Sequence, residues 1–225
     1  MSAGPATSAP GRPGTTAQHA VESLRRAIVA GELRPGERVR QDEVAERLGV
    51  SLAPIREALA VLEQEGQVTY RPRRGYVVTE LDLADLRELY ELRQLLEERA
   101  ARRALPQLDE DALERIELAA RDCVAAADRG DVAAELEANR RFHFALLEAP
   151  DSPHTLRVIR LLWDSTETYR AMYYNAPESR AEAAASHERI LAALGEGDAD
   201  RLVAELDAHR GRALAQLEAI LPPSG

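Results

Sequence analysis

A mostly helical fold in two parts follows from three observations. Three short helical segments, each closed by a glycine, open the chain. Two β-prone runs around a basic turn come next. From residue 82 onward, apolar residues recur only at helical spacing. This order predicts an N-terminal winged helix-turn-helix followed by an all-helical antiparallel bundle. The expected divisions are an arm over 1–16, a head over 17–80 and a helical body over 81–221.

The arm is rich in Ala, Gly, Pro, Ser and Thr and has no apolar stretch. It reads as a disordered arm and not as a signal peptide. Val21, Leu24 and Ile28 mark a first helix over 17–30, and Gly31 stops it. Leu33-Arg34-Pro35-Gly36-Glu37 reads as a turn. A second helix runs from Gln41 to Leu48, with Asp42 and Glu43 in the first turn, where the helix dipole favours acids. Gly49 ends it. Ser51 is placed to cap a third helix that runs to about Glu65, with Pro54 harmless in its first turn.

Gln67–Arg71 and Tyr76–Thr79 are short β-prone runs around Pro72-Arg73-Arg74-Gly75, the pattern of a wing. The body is expected as helices at about 83–104, 109–129, 132–148, 155–175, 178–194 and 199–220. Pro106, Gly130, Pro150 to Pro153, Pro177, and Gly195 with Gly197 separate them.

The 225 residues carry a net charge of −10, so the whole chain exerts no general pull toward DNA. The charge is uneven: residues 1–80 balance at +1 and the remainder at −11. All 29 basic residues are Arg, which fits a coding bias better than phosphate chemistry, because Arg is as common in the acidic body. The single Cys, Cys123, excludes an internal disulfide framework and fits a reducing cytoplasm. No apolar run approaches the ~20 residues that a membrane span needs.

A helix fits the major groove of B-DNA, and the side chains at its N-terminal end reach base edges. Here that helix opens Ser51-Leu52-Ala53-Pro54-Ile55-Arg56-Glu57. Arg71, Arg73 and Arg74 on the wing can meet phosphates or the minor groove. The plainer reading of Arg56 is a surface ion pair with Glu57 or Glu63, and that of the wing arginines is a solvated loop.

The stretches Ala27–Gly36, Val50–Leu59, Leu62–Gly66 and Arg74–Val78 resemble the first helix and turn, recognition helix and wing tip of the GntR family of transcription regulators. The resemblance implies DNA contact from Ser51, Arg56 and Gly75, with Arg38, Leu52, Ala53, Pro54, Arg73 and Arg74 completing the candidate surface. The family usually has Arg at the place of Leu52 and Thr at that of Ala53. A Leu can touch a thymine methyl but donates nothing to guanine, so the family's usual operator is not carried over.

The body holds polar residues where its stripes are apolar. Arg93 lies on the stripe of Leu86, Leu89, Leu96 and Ala100. A buried Arg needs an anion, from the protein or from a ligand. Asn139 and His143, four apart, share the stripe of Val132, Leu136 and Leu146. His187 and His209 lie on the stripes of two further helices, whereas His19 and His154 read as surface residues. Each such His alone is more often a satisfied core residue. Three of them with one oxygen donor suggest a metal site. Tyr169, Tyr173 and Tyr174, near Trp163, either line a pocket or simply pack.

Glu91-Leu92-Arg93 with Leu96-Glu97, Asn139 to His143, His187 to Asp198, and His209 together resemble the FCD ligand-sensing domain of the FadR subfamily. In many members an Asp or Asn and three His at these places bind a divalent metal, and an open position takes a carboxylate effector. The resemblance thus implies Asn139, His143, His187 and His209 as ligands of zinc, with nickel or manganese as alternatives. It implies Arg93 as the effector's partner, and Tyr169 and Tyr173 join the candidate pocket.

Three functions compete. The first is a cytoplasmic homodimeric repressor that binds double-stranded operator DNA under control of a small organic acid. The second is a DNA-binding protein with a structural His cluster and no effector. The third is a metal-dependent hydrolase, for which no HExxH-like motif is present and Glu188 points away from the face of His187.

Overall fold

The computed structural model describes residues 15–148, 152–174 and 177–221, the side chains of 177–179 excepted. The head consists of α1 (Thr16–Val29), α2 (Gln41–Leu48), α3 (Leu52–Gln64), β1 (Val68–Arg71) and β2 (Gly75–Val78). The arm expected over 1–16 lies outside the described residues up to 14. Its last two positions are helical punctuation instead: the Thr15 hydroxyl accepts from Gln18 N, and the Gln18 side chain accepts from Thr15 N. This capping box satisfies two amides that the helix start leaves open.

The helices of the head close over Leu24, Ile28, Ile55, Leu59 and Leu62. Gly49 caps α2 with φ of 65°, a conformation costly for a residue with a Cβ, and so turns the chain sharply into α3. Ser51 holds the N-cap position of α3, but its side chain makes no capping bond. The hairpin pairs antiparallel, Val68 opposite Val78 and Arg71 opposite Gly75. Arg38 adds a bridge to Val77 and ties the segment before α2 to the wing.

The body consists of α4 (Leu83–Ala104), a single 3-10 turn (Leu105–Gln107), α5 (Glu110–Arg129), α6 (Val132–Leu147), α7 (Pro153–Ser165), α8 (Glu167–Tyr174), α9 (Pro177–Glu196) and α10 (Ala199–Ile220). Asp82, Asp109, Asp131 and Asp198 accept amide hydrogen bonds at the starts of α4, α5, α6 and α10. The main core joins Ala100, Ile116, Phe142, Leu147, Ile159, Trp163 and Ile190. No helix among the described residues is long and apolar enough to cross a membrane.

One expected element is corrected. The helix expected over 155–175 breaks at Thr166, where α7 ends and α8 begins. The Thr166 hydroxyl donates to the carbonyls of Leu162 and Trp163, local bonds that compete with helix continuation.

The break sends α8 between head and body. Tyr169, Tyr173, Leu86, Tyr90 and Leu217 pack there with Val29 of α1. Polar contacts reinforce the junction. Gln67 Nε2 donates to Glu167 at 3.1 Å, Arg25 lies 3.8 Å from the same carboxylate, and Ser165 Oγ donates to the Glu65 carbonyl at 3.3 Å. Gly66, with φ of 73°, lies so near α7 that a Cβ there would come within 2.8 Å of Ser165 Oγ.

Candidate DNA-reading groove and histidine cluster

Residues far apart in sequence meet on the head. Arg38, Leu52, Arg56 and Gly75 line one open groove of about 530 Å³, together with Arg40, Gln41, Asp42 and Glu43. Arg40 is engaged by Glu43 at 2.8 Å. Arg38, Arg56, Arg71, Arg73 and Arg74 form no ion pair among the described residues and are exposed. Arg56 therefore does not take the Glu57 or Glu63 pairing that was the plainer reading.

Leu52 is half-buried and packs partly on the core of the head, whereas Ser51 and Ala53 are exposed and Pro54 is half-buried. The wing tip is a three-residue loop in which Arg73 has φ of 67°. A left-handed Arg costs about 1 kcal/mol, a strain that coincides with an exposed pair of guanidiniums.

In the body, α6 positions Asn139 and His143 one turn apart, α9 positions His187, and α10 positions His209. One ring nitrogen from each His lies within 4.8 Å of the other two. His143 Nε2 and His209 Nε2 are 3.3 Å apart, and His187 Nε2 lies 3.1 Å from Asn139 Oδ1. Nitrogens bound at 2.0–2.1 Å to one tetrahedral zinc would be about 3.3–3.4 Å apart.

Phe142 stacks on His187 with ring centroids 4.2 Å apart. His143 and His187 are buried, and His209 is half-buried. Burial pushes the pKa of His187 down to about 4. Burial, then the neighbouring imidazoles and arginines, hold His143 and His209 well below the ordinary range. All three are thus neutral near pH 7, the form that ligates metals. Nδ1 of His143 and Nδ1 of His187 are buried without a hydrogen-bond partner among the described residues.

Asn139, His143 and His209 also face a small, partly open cavity of about 20 Å³, which Tyr90, Arg93, Arg170 and Tyr173 share. Tyr169 is not among its walls. Its hydroxyl accepts from Leu81 N at 2.7 Å and reaches Leu81 O at 3.3 Å, so this side chain ties α8 to the segment joining head and body. The break at Thr166 shifts the phase of the helix, and the expected neighbour of Tyr173 on the pocket wall faces elsewhere.

Glu97, Arg170, Arg210 and Glu135 are among the buried residues not singled out from the sequence. Glu97 answers the question of the anion for Arg93. Its Oε1 accepts from Arg93 Nε at 2.9 Å and from Trp163 Nε1 at 2.7 Å, and its Oε2 accepts from Arg210. These cations hold its carboxyl below the usual range against the opposing effect of burial. The signal was the i, i+4 spacing from Arg93. Arg170 is equally buried, and burial lowers its pKa to about 10. Glu135 lies on the stripe of Val132 and Leu136, and its Oε2 has no partner among the described residues. Burial raises its pKa to about 7.

A winged helix presenting unpaired arginines on its reading helix and wing, joined to a helical domain, defines a DNA-binding transcription regulator. Residues 16–78 match the profile "Bacterial regulatory proteins, gntR family", and residues 88–212 match the FCD domain. The chain belongs to the GntR family and carries an FCD domain. It is similar to the Nta operon transcriptional regulator of Aminobacter aminovorans, 30% identical over 184 residues, or 80% of this chain and 84% of that protein. It is also similar to the HTH-type transcriptional repressor RspR of Escherichia coli K12, 31% identical over 148 residues, 66% of this chain and 62% of that one. The solved structure of E. coli McbR/YncC superposes with a TM-score of 0.80 at 25% identity, covering 92% of this chain and 99% of that one. These families and relatives are transcription regulators and not enzymes.

Proposed function

We propose that the protein is a cytoplasmic homodimeric repressor whose hold on operator DNA is set by a small carboxylate effector beside a divalent metal ion. The observation that carries this reading is the convergence of His143, His187 and His209, from three helices, beside a buried cavity that also contains guanidinium groups. The donor set fits zinc, with nickel or manganese as alternatives: three neutral imidazoles and the neutral oxygen of Asn139.

When bound, the ion offers a Lewis-acidic position to a carboxylate. The chain's own residues do the rest. Asn139 and the three His fix the ion's place, Arg93 and Tyr173 line the effector's cavity, and α8 links that cavity to the head. The repressor sense draws on the similarity to a protein named as a repressor. In a homodimer, two copies of α3 would enter successive major grooves of a palindromic site, with Arg38, Ser51, Leu52, Ala53, Pro54, Arg56 and Gly75 toward the bases and Arg73 and Arg74 on the wing. An effector changes operator affinity only by binding the two poses of the heads unequally.

Titration calorimetry of the chelator-treated full chain with zinc tests the metal. About one ion per chain is expected, with His187→Ala losing it; no heat with zinc, nickel or manganese overturns this part. The second reading, a structural His cluster with no effector, is favoured by the cavity's size, since about 20 Å³ accommodates one water. Operator gel shifts across a panel of carboxylates distinguish the two. Unchanged affinity with every acid favours the second reading.

A further inference from the structure

Three guanidiniums are buried around the histidine cluster, and they are not equivalent. Arg93 donates to Glu97, and Arg210 is held between Glu97 and Asp207. Arg170, 5% exposed, forms no ion pair among the described residues, and Glu167 is the acid whose charge acts on it most. Its Nη2 donates to the Trp163 carbonyl at 3.0 Å, and its guanidinium lies 4.2 Å from the centre of the Trp163 ring. Its Nε and Nη1 have no hydrogen-bond partner among the described residues. Glu167, the acid nearest along α8, faces Gln67 and Arg25 of the head. The Tyr90 hydroxyl is likewise buried and unpartnered, and Tyr90 and Arg170 border the same cavity as Asn139, His143 and His209.

A buried cation with two open donors is costly, and a well-packed apolar residue would serve a purely structural role better. A water could satisfy the N–H groups but would leave the charge with only the more distant Glu167 and no paired anion. An oxyanion at either open edge of the flat guanidinium compensates the charge and accepts from Nε or Nη1. We propose that Arg170, assisted by the Tyr90 hydroxyl, is the anion-binding residue of this cavity, holding the carboxylate or phosphate group of the effector, while Arg93 serves chiefly to orient Glu97 and Trp163. The inference rests on the reading that the cavity takes an effector. It moves the anion's main contact from α4 to α8, the helix that touches the head.

Acetate and inorganic phosphate are the smallest probes of the proposed clamp; each is larger than the one water the cavity accommodates, so binding requires this partly open cavity to widen. The full chain, zinc-loaded and chelator-treated in parallel, is melted across a concentration series of each, with sodium chloride holding the ionic strength constant. The wild type is expected to gain Tm with one or both anions. Arg170→Met is expected to melt no lower than the wild type without anion and to lose the gain. Tyr90→Phe is expected to fold normally and bind the anion about tenfold more weakly, the loss of one charge-assisted hydrogen bond.

A wild type that responds to neither anion overturns the proposal. So does an Arg170→Met protein that keeps the full response. If Arg170→Met fails to fold, an undiminished response in Tyr90→Phe overturns the clamp, and a weakened one supports it. Zinc calorimetry on the same samples keeps the two readings apart. An Arg170-dependent response without zinc binding removes the metal and keeps the clamp, and zinc binding without that response does the reverse.

Discussion

Arg93 and Glu97, one turn apart on α4, form an ion pair at 2.9 Å, and Glu97 is only 1% exposed. The same carboxylate also receives Arg210 and the Trp163 indole, so one anion organises α4, α7 and α10. Glu97→Gln keeps the shape but leaves two buried guanidiniums without their shared charge. A loss of about 3–5 kcal/mol is expected, the cost of breaking a buried pair from one side. Urea denaturation at pH 7 measures it, and a loss below about 1 kcal/mol would contradict the network.

Glu135 gives stability a pH dependence of the opposite sign to a salt-bridged acid. Burial raises its pKa to about 7, so the folded chain keeps a proton that the unfolded chain releases near pH 4.3. Its contribution is fully present below about pH 4.3 and is lost as pH rises through 7. Glu135→Gln should flatten the change in stability between pH 5 and 8. It should add about 1–3 kcal/mol at pH 8, read from denaturation series at the two pH values.

On the head, the unpaired arginines should separate into two behaviours. Replacing Arg73 or Arg74 by Ala should weaken binding to any duplex and lower the slope of log affinity against log salt by about one per lost phosphate contact. Arg56→Ala should cost about 1–3 kcal/mol on the true operator and less on random DNA, if Arg56 reads a base edge. Fluorescence anisotropy at several salt concentrations, on both duplexes, measures each.

Tyr169→Phe should speed hydrogen exchange at the Leu81 amide, because the only side-chain acceptor of that amide among the described residues is the Tyr169 hydroxyl. The global cost should be small, about 1 kcal/mol. Unchanged exchange at Leu81 would mean that this bond does not hold the junction.

The winged head was legible in the sequence because its signals are local: Gly49 between two helices, Pro54 in a first turn, and a basic turn between β-prone runs. The body's helices followed from their apolar stripes, and the stripe positions of Asn139, His143, His187 and His209 anticipated that they meet. Thr166 was not legible as a break, because it ends a helix through its own hydroxyl, without Pro or Gly. That one break misphased Tyr169 and hid Arg170, whose burial shows only once α8 is turned. Glu97 was hidden for another reason: an i, i+4 pair looks the same in sequence on a solvated face and in a core. Glu135 could have been found, since it lies beside Leu136 on an apolar stripe and four residues before Asn139.

The close approach of Gly66 to Ser165 makes the smallest possible substitution a mechanical probe. A methyl group at 66 must carry a left-handed backbone and displace the Ser165 hydroxyl from 2.8 Å, which would give up that hydroxyl's bond to the Glu65 carbonyl. Head and bundle thus meet where a bare backbone at 66 faces a single hydroxyl at 165, so the fit can be adjusted from either side of the seam.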